Sequence, residues 1–199
     1  MDLSKNKLQG TIPTTIVSLA PETKFLDLSH NLLSGTIPED IGTFSFLYLL
    51  DLSFNNLTGT IPWKFQDLIY ITYLSLSNNM LYGSIPDNLW NMINLEKIDF
   101  SNNELNGTIP VMGPIGTLIT LDFSNNELEG TIPNTINRFG NIAHLYLQNN
   151  KISGIPSTID ELSNVADFFL QENQITGTIP SNIGNMIGLR NLHLENNHF

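Results

Sequence analysis

The chain has 199 residues, with 8 Lys and Arg against 19 Asp and Glu, a formal net charge of −11. That balance argues against nucleic acid, whose phosphates need clustered basic side chains to release counterions, and against an anionic membrane surface. There are no cysteines, which rules out disulfides and thiolate metal sites, and no run approaches the roughly 18 apolar residues of a membrane helix. Met1 is followed at once by Asp2-Leu3-Ser4 rather than by a basic and then an apolar stretch, so no signal peptide is read.

One unit recurs along the chain. A leucine-framed asparagine stands at Asn6, Asn31, Asn55, Asn79, Asn103, Asn126, Asn150, Asn173 and Asn197, spaced 23–25 residues apart. The residues five and three before it are apolar every time, from Leu26/Leu28 to Leu192/Leu194. Period-two alternation over so short a run predicts a strand with one face buried. The asparagine ends that strand, and its amide can satisfy backbone groups left open in a buried turn. Stacked copies then form a ladder. Two residues on comes another inward apolar residue, then a glycine and Ile-Pro, as in Gly35-Thr36-Ile37-Pro38. Glycine permits a backbone that a Cβ opposes, and proline suits the end of a short second strand. The seventh copy, Gly154-Ile155-Pro156, is one residue short. Pairs three apart on the return path, such as Ile41/Phe44 and Phe65/Leu68, predict a 3₁₀ or short α-helical turn. One repeat cannot bury its apolar face alone, but stacked repeats share a core.

The pattern Leu-x-x-Leu-x-Leu-x-x-Asn-x-Leu-x-Gly-x-Ile-Pro, complete from Leu47 to Pro62, resembles the plant-type leucine-rich repeats. These occur in receptor-kinase ectodomains, receptor-like proteins and polygalacturonase-inhibiting proteins. The resemblance covers essentially the whole chain. It implies an α/β repeat solenoid, right-handed and curved, with a parallel concave sheet, short second strands and helical turns on the convex side. It also implies non-enzymatic recognition of a protein, peptide or glycan on the concave face, outside the cell or at its surface. The expected organisation is one solenoid over residues 1–199, about eight repeats with partial repeats at each end. The family's cysteine-paired caps are absent, so an internal stretch of a longer protein, prone to self-association through its open ends, is the expectation. Irregularities fall at Pro21-Glu22, at Thr23 and at Gly113-Pro114.

Residues six, four and two before each asparagine are expected to face outward. The middle column reads Asp2, Asp27, Asp51, Ser75, Asp99 and Asp122, and then Tyr146, Phe169, His193. The next column is serine as far as Ser124, then Gln148, Gln171 and Glu195. The last rungs diverge together. His144, Tyr146, Gln148, Phe169, Gln171, Arg190 and His193 are therefore the leading contact surface, because exposed aromatics are enriched at binding hot spots. A second patch is Phe25, Tyr48, Leu49, Phe54 and Tyr73. The aspartate column has no acid/base asymmetry or enclosing pocket, and the four histidines lack metal-ligand spacing, so no catalytic residue, metal or cofactor is assigned. An alternative function rests on Thr11, Thr36, Thr60, Ser84, Thr108, Thr131 and Thr178, a hydroxyl column, mostly threonine and interrupted only at Gly154-Ile155, that suits adsorption to ice or polysaccharide. Asn56 and Asn106 begin glycosylation sequons.

Overall fold

The computed structural model describes residues 1–19, 22–111, 113 and 115–199; Pro21 and Pro114, at two of the sequence irregularities, lie outside them. The alternating apolar pairs form three-residue strands whose buried residues face one core. Phe25–Asp27, Leu49–Asp51, Tyr73–Ser75, Lys97–Asp99, Thr120–Asp122, His144–Tyr146, Asp167–Phe169 and Asn191–His193 join in chain order as one 8-stranded parallel sheet. Second strands of three to five residues, from Gln9–Thr11 to Lys151–Gly154, build a 7-stranded sheet of the same order. Return paths carry 3₁₀ turns such as Glu39–Thr43, Trp63–Asp67 and Asn134–Arg138. The proline before each of these turns accepts the first turn hydrogen bond, as from Ile41 N–H to Pro38 O at 3.2 Å. The fold is thus the expected repeat solenoid of parallel sheets and helical turns. Among the described residues, no helix is long and apolar enough to cross a membrane.

The framework leucines, isoleucines and phenylalanines form a continuous core along the stack, with Leu50, Leu52, Phe65, Ile98 and Phe168 fully enclosed. Phe100 and Phe123 stack on each other from adjacent rungs, ring centroids 5.6 Å apart. Thr23 is buried where the other rungs place an aliphatic side chain. Apolar side chains stay exposed at the two ends, including Met1 and Leu3 at one and Ile179 and Phe199 at the other.

The asparagine ladder stitches these rungs together. Asn103 Nδ2 donates to Phe100 O and Ser101 O on its own rung, at 3.1 and 3.2 Å, and to Leu76 O of the preceding rung at 3.0 Å. Its Oδ1 accepts Leu81 N–H, also from the preceding rung, at 3.0 Å. The same four contacts recur at Asn79, Asn126 and Asn150. Each amide therefore fixes one rung's position on its neighbour.

The residue just before each ladder asparagine is left-handed, with φ from 52° to 58°. That accounts for many of the Asn-Asn pairs, since asparagine tolerates this region better than other side chains. His30 and Phe54 occupy it too. The shortened seventh repeat is absorbed by a register shift between Gly130 and Thr131. Thr131 thus pairs with Gly154, whereas Thr11, Thr36 and Thr108 pair with the residue before the next glycine, and Gly154 alone of the motif glycines lacks a positive φ.

Replacing Asn103 with Ala strands several backbone groups, so we expect a loss of about 1–3 kcal/mol for each buried group left unmet. Asn102→Ala, at φ 56°, should cost about 1 kcal/mol from backbone strain alone, and Asn102→Gly close to none. Urea midpoints of the three variants check the order; a destabilised Asn102→Gly would contradict the assignment.

Candidate ligand-binding face

The concave sheet has two chemistries. In the N-terminal rungs each aspartate turns back on the serine two residues later. Asp99 Oδ1 accepts both Ser101 N–H, at 3.1 Å, and Ser101 Oγ–H, at 2.7 Å. Asp122 does the same with Ser124, at 3.0 and 2.6 Å. Ser29, Ser53, Ser101 and Ser124 are buried beneath these carboxylates, and Ser77 is buried beside the hydroxyl of Ser75, 3.3 Å away. This corrects the expectation that the serine column faces solvent: the side chain two residues before folds over it. The aspartates themselves are half-buried. Burial, reinforced by the neighbouring Asp99, raises the Asp122 carboxyl above its ordinary range, although the Ser124 hydrogen bonds oppose that shift.

From His144 onward the aspartate-serine pairing stops. The register places His144 beside Asp167 and Tyr146 beside Phe169, which in turn lies beside His193. Their rings form a chain: His144–Tyr146 at 6.2 Å, Tyr146–Phe169 at 5.1 Å edge-on, and Phe169–His193 at 4.5 Å edge-on. Asp167 sits at its centre. Its Oδ2 lies 2.6 Å from His144 Nδ1 and accepts Tyr146 O–H at 3.3 Å, while Oδ1 accepts Asn191 Nδ2–H at 2.6 Å. The Asn191 bond first, then His144, holds the Asp167 carboxyl below the usual carboxylate range. Desolvation and the nearby Asp167 raise the Tyr146 phenol. His193 Nδ1 contacts Glu195 Oε1 at 3.0 Å and thereby lowers the Glu195 carboxyl.

Of the residues singled out in the sequence, His144, Tyr146, Phe169 and His193 are brought together. Gln148 and Gln171 lie half-buried beside them, each with a side-chain oxygen enclosed and unpartnered among the described residues. Arg190 is exposed on the last rung. Asp167 and Asn191 were missed as site residues. Both stand in the outward column six before the ladder asparagine, but their role shows only once the rungs are in register.

The second patch divides. Phe25 stacks on Tyr48 at 6.4 Å, and Tyr48 meets Tyr70, which meets Phe46, at 6.0 and 6.4 Å. Phe46 and Tyr70 belong to the return path and escaped the sequence reading. Nine residues before the ladder asparagine, later rungs have Asn94, Asn141 and Asn164, whose amides donate to carbonyls of the preceding rung. Phe54 is not part of this cluster; its left-handed backbone turns it onto His30, with ring planes 9° apart at 4.2 Å. Tyr73 lies under Lys97 Nζ, 5.2 Å from the ring centre, and Leu49 is half-buried. The sequon residues Asn56 and Asn106 are exposed. Among the described residues no group of acidic or histidine side chains is arranged to hold a metal ion.

A sequence profile described as "Leucine Rich Repeat" matches residues 22–44, 46–68, 70–92, 94–112, 117–139 and 141–162. No curated protein is matched. Among solved structures, a plant peptide hormone receptor, RGFR1 in complex with RGF2, superposes with a TM-score of 0.90 at 33% identity, covering 96% of this chain and 35% of that one. A TDR receptor gives 0.91 at 34% identity, over 96% of this chain and 33% of its own. A plant ice-binding protein gives 0.65 at 27% identity, over 99% and 74%. The chain thus spans about a third of the length of the receptor structures it matches.

Asp167→Asn offers a direct check of the cluster. A carboxyl lowered in the folded state contributes stability that is present above its unfolded pKa, about 3.9, and lost as pH falls through the lowered folded value. The variant should therefore melt below wild type at neutral pH, with the gap closing in strong acid. A gap that persists unchanged in acid would show that Asp167 is not held as a carboxylate.

Proposed function

This chain belongs to the leucine-rich-repeat family, and on that premise we propose that it is a non-enzymatic recognition module for a basic peptide, read on the concave face at its C-terminal half. The observation that carries the reading is the joint change of columns after Asp122. Carboxylates that had closed on their own serines give way to a contiguous row of rings around Asp167, flanked by the enclosed, unpartnered oxygens of Gln148 and Gln171. Rings give contact area at low entropy cost. The half-buried aspartates further along the same face, in a chain of net charge −11, favour a cationic ligand. Similarity to receptors for peptide hormones supports a peptide over a larger surface, and supports placement outside the cell or at its surface.

A second reading has its own observation. Thr11, Thr36, Thr60, Thr108 and Thr131 are exposed at one per rung, and a plant ice-binding protein shares the fold. The packing supports it less. A Cβ built on Gly59 would stand 2.8 Å from the Thr36 methyl, and one on Gly83 3.0 Å from the Thr60 methyl, so each methyl is turned onto the next rung's glycine. Close packing within the solenoid accounts for the repetition of this column without any external lattice.

The two readings separate cleanly. Panning a displayed peptide library against the immobilised chain should enrich basic sequences, and Tyr146→Ala with Phe169→Ala should weaken their capture well over tenfold, at about 2 kcal/mol per hot-spot ring. Replacing Thr36, Thr60, Thr108 and Thr131 with Glu should leave capture unchanged. Inhibition of ice recrystallisation that depends on the threonines and ignores Tyr146 and Phe169 would overturn the peptide reading.

A further inference from the structure

A groove of about 620 Å³ runs along the opposite flank, away from the concave ring cluster, across the ends of three successive second strands. Its floor repeats with the rungs: the hydroxyl residues Thr36, Thr60 and Ser84, each followed by isoleucine and proline. One wall breaks the repetition. Trp63 stands one residue after Pro62, where the other rungs carry Thr14, Glu39, Asp87, Val111, Asn134, Ser157 and Ser181, none of them aromatic. About half of its surface is exposed, a large apolar area that no folding requirement places there.

The indole is held in place. Trp63 Nε1–H donates to Glu39 Oε1 of the preceding rung at 3.0 Å, and Lys64 Nζ approaches Glu39 Oε2 at 3.5 Å. The carbonyl of Trp63 accepts Asn88 Nδ2–H at 3.0 Å. The Glu39 bond holds the indole itself, with Lys64 Nζ 5.9 Å from its ring centre, and the Asn88 bond holds the backbone beneath it; a held ring loses little entropy on contact with a ligand. Beside it lie the carboxylates of Glu39 and Asp40.

We propose that this groove is a binding site for a neutral oligosaccharide, independent of the concave peptide face. A pyranose has an apolar face of C–H bonds and an equatorial rim of hydroxyls. An exposed indole suits the first, and carboxylate and hydroxyl oxygens suit the second. The hydroxyl residues recur at the rung spacing, about 4.8 Å, close to the length of one sugar ring, so consecutive sugars meet equivalent groups. Lys64 offsets the charge of Glu39, and Asp40 adds a further carboxylate that disfavours uronates, which favours a neutral chain over an acidic one. A proline-rich peptide is the competing occupant. It offers rings to Trp63 but has few donors for the row of side-chain oxygens.

The chain has two tryptophans, and Trp90 is buried, so a fluorescence change on ligand addition reports Trp63. Titration with cellohexaose or xylohexaose should give a saturable change, and a galacturonate hexamer at low salt should give none. By calorimetry, Trp63→Ala should lose at least about tenfold in affinity for the neutral hexasaccharide, and Trp63→Phe, which keeps a ring, distinctly less. Unchanged thermal midpoints would show that both variants fold. The Tyr146→Ala, Phe169→Ala protein should bind the sugar normally, which separates this site from the concave one. The proposal fails if neither neutral hexasaccharide binds, if Trp63→Ala binds as wild type does, or if only a proline-rich peptide produces the change.

Discussion

Everything on the surface of this molecule depends on a buried amide. From Asn31 onward each ladder asparagine bonds to carbonyls on its own rung and to a carbonyl and an N–H on the preceding one, so neighbouring rungs cannot slip relative to each other. Slippage by one residue would reverse the inward and outward faces of a strand. Fixed register is also what turns sequence columns into contacts. Tyr146 meets Phe169, and His144 meets Asp167, only because their strands pair residue for residue. The left-handed residue before each asparagine is part of the same device, since the chain must turn sharply there for the amide to enter the core.

The rungs that carry the ring cluster give up something for it. In Asp99-x-Ser101 and Asp122-x-Ser124 the carboxylate satisfies a backbone N–H and a hydroxyl that would otherwise be enclosed without partners. With Tyr146 and Phe169 in that position, no carboxylate closes on Gln148 or Gln171, and their side-chain oxygens stay unpartnered among the described residues. Asp167, in the adjacent column, restores part of the loss through His144, Tyr146 and Asn191. A local hydrogen-bonding device that serves the earlier rungs has been replaced by a contiguous row of half-exposed rings. That exchange argues for a site over simple drift of the repeat.

The framework was legible because every rung poses the same packing problem, and the same residue type answers it each time. The outward columns were legible only as far as strand periodicity reaches. It failed at the serines, where the strand ends and Asp99 or Asp122 folds over the position, a tertiary effect that alternation does not encode. It failed at Phe54 because a positive φ redirects the side chain onto His30. Phe46 and Tyr70 were missed because the return path was read as packing alone, although the polar residues in the same column of later rungs mark it as partly exposed. Asp167 gives no signal in its own repeat; only the pairing of three strands shows that it lies between His144, Tyr146 and Asn191.

Regularity and its interruption carry different meanings in such a fold. The threonine column looks like a designed surface, yet its methyl groups pack on the following glycines, and those glycines are needed for a left-handed backbone as well. Two structural demands meet at one step of the motif, so the column recurs whether or not anything binds it. Trp63 and the Tyr146–Phe169–His193 row answer no such demand. The rungs on either side of Trp63 fold with a carboxylate in its place, and the rungs before Tyr146 fold with aspartate, or serine at Ser75, in that column. Where a solenoid departs from its own repeat without relieving strain or filling the core, selection on the exposed surface is the remaining physical reason. Both departures found here place fixed aromatic rings beside unpaired or acidic oxygens.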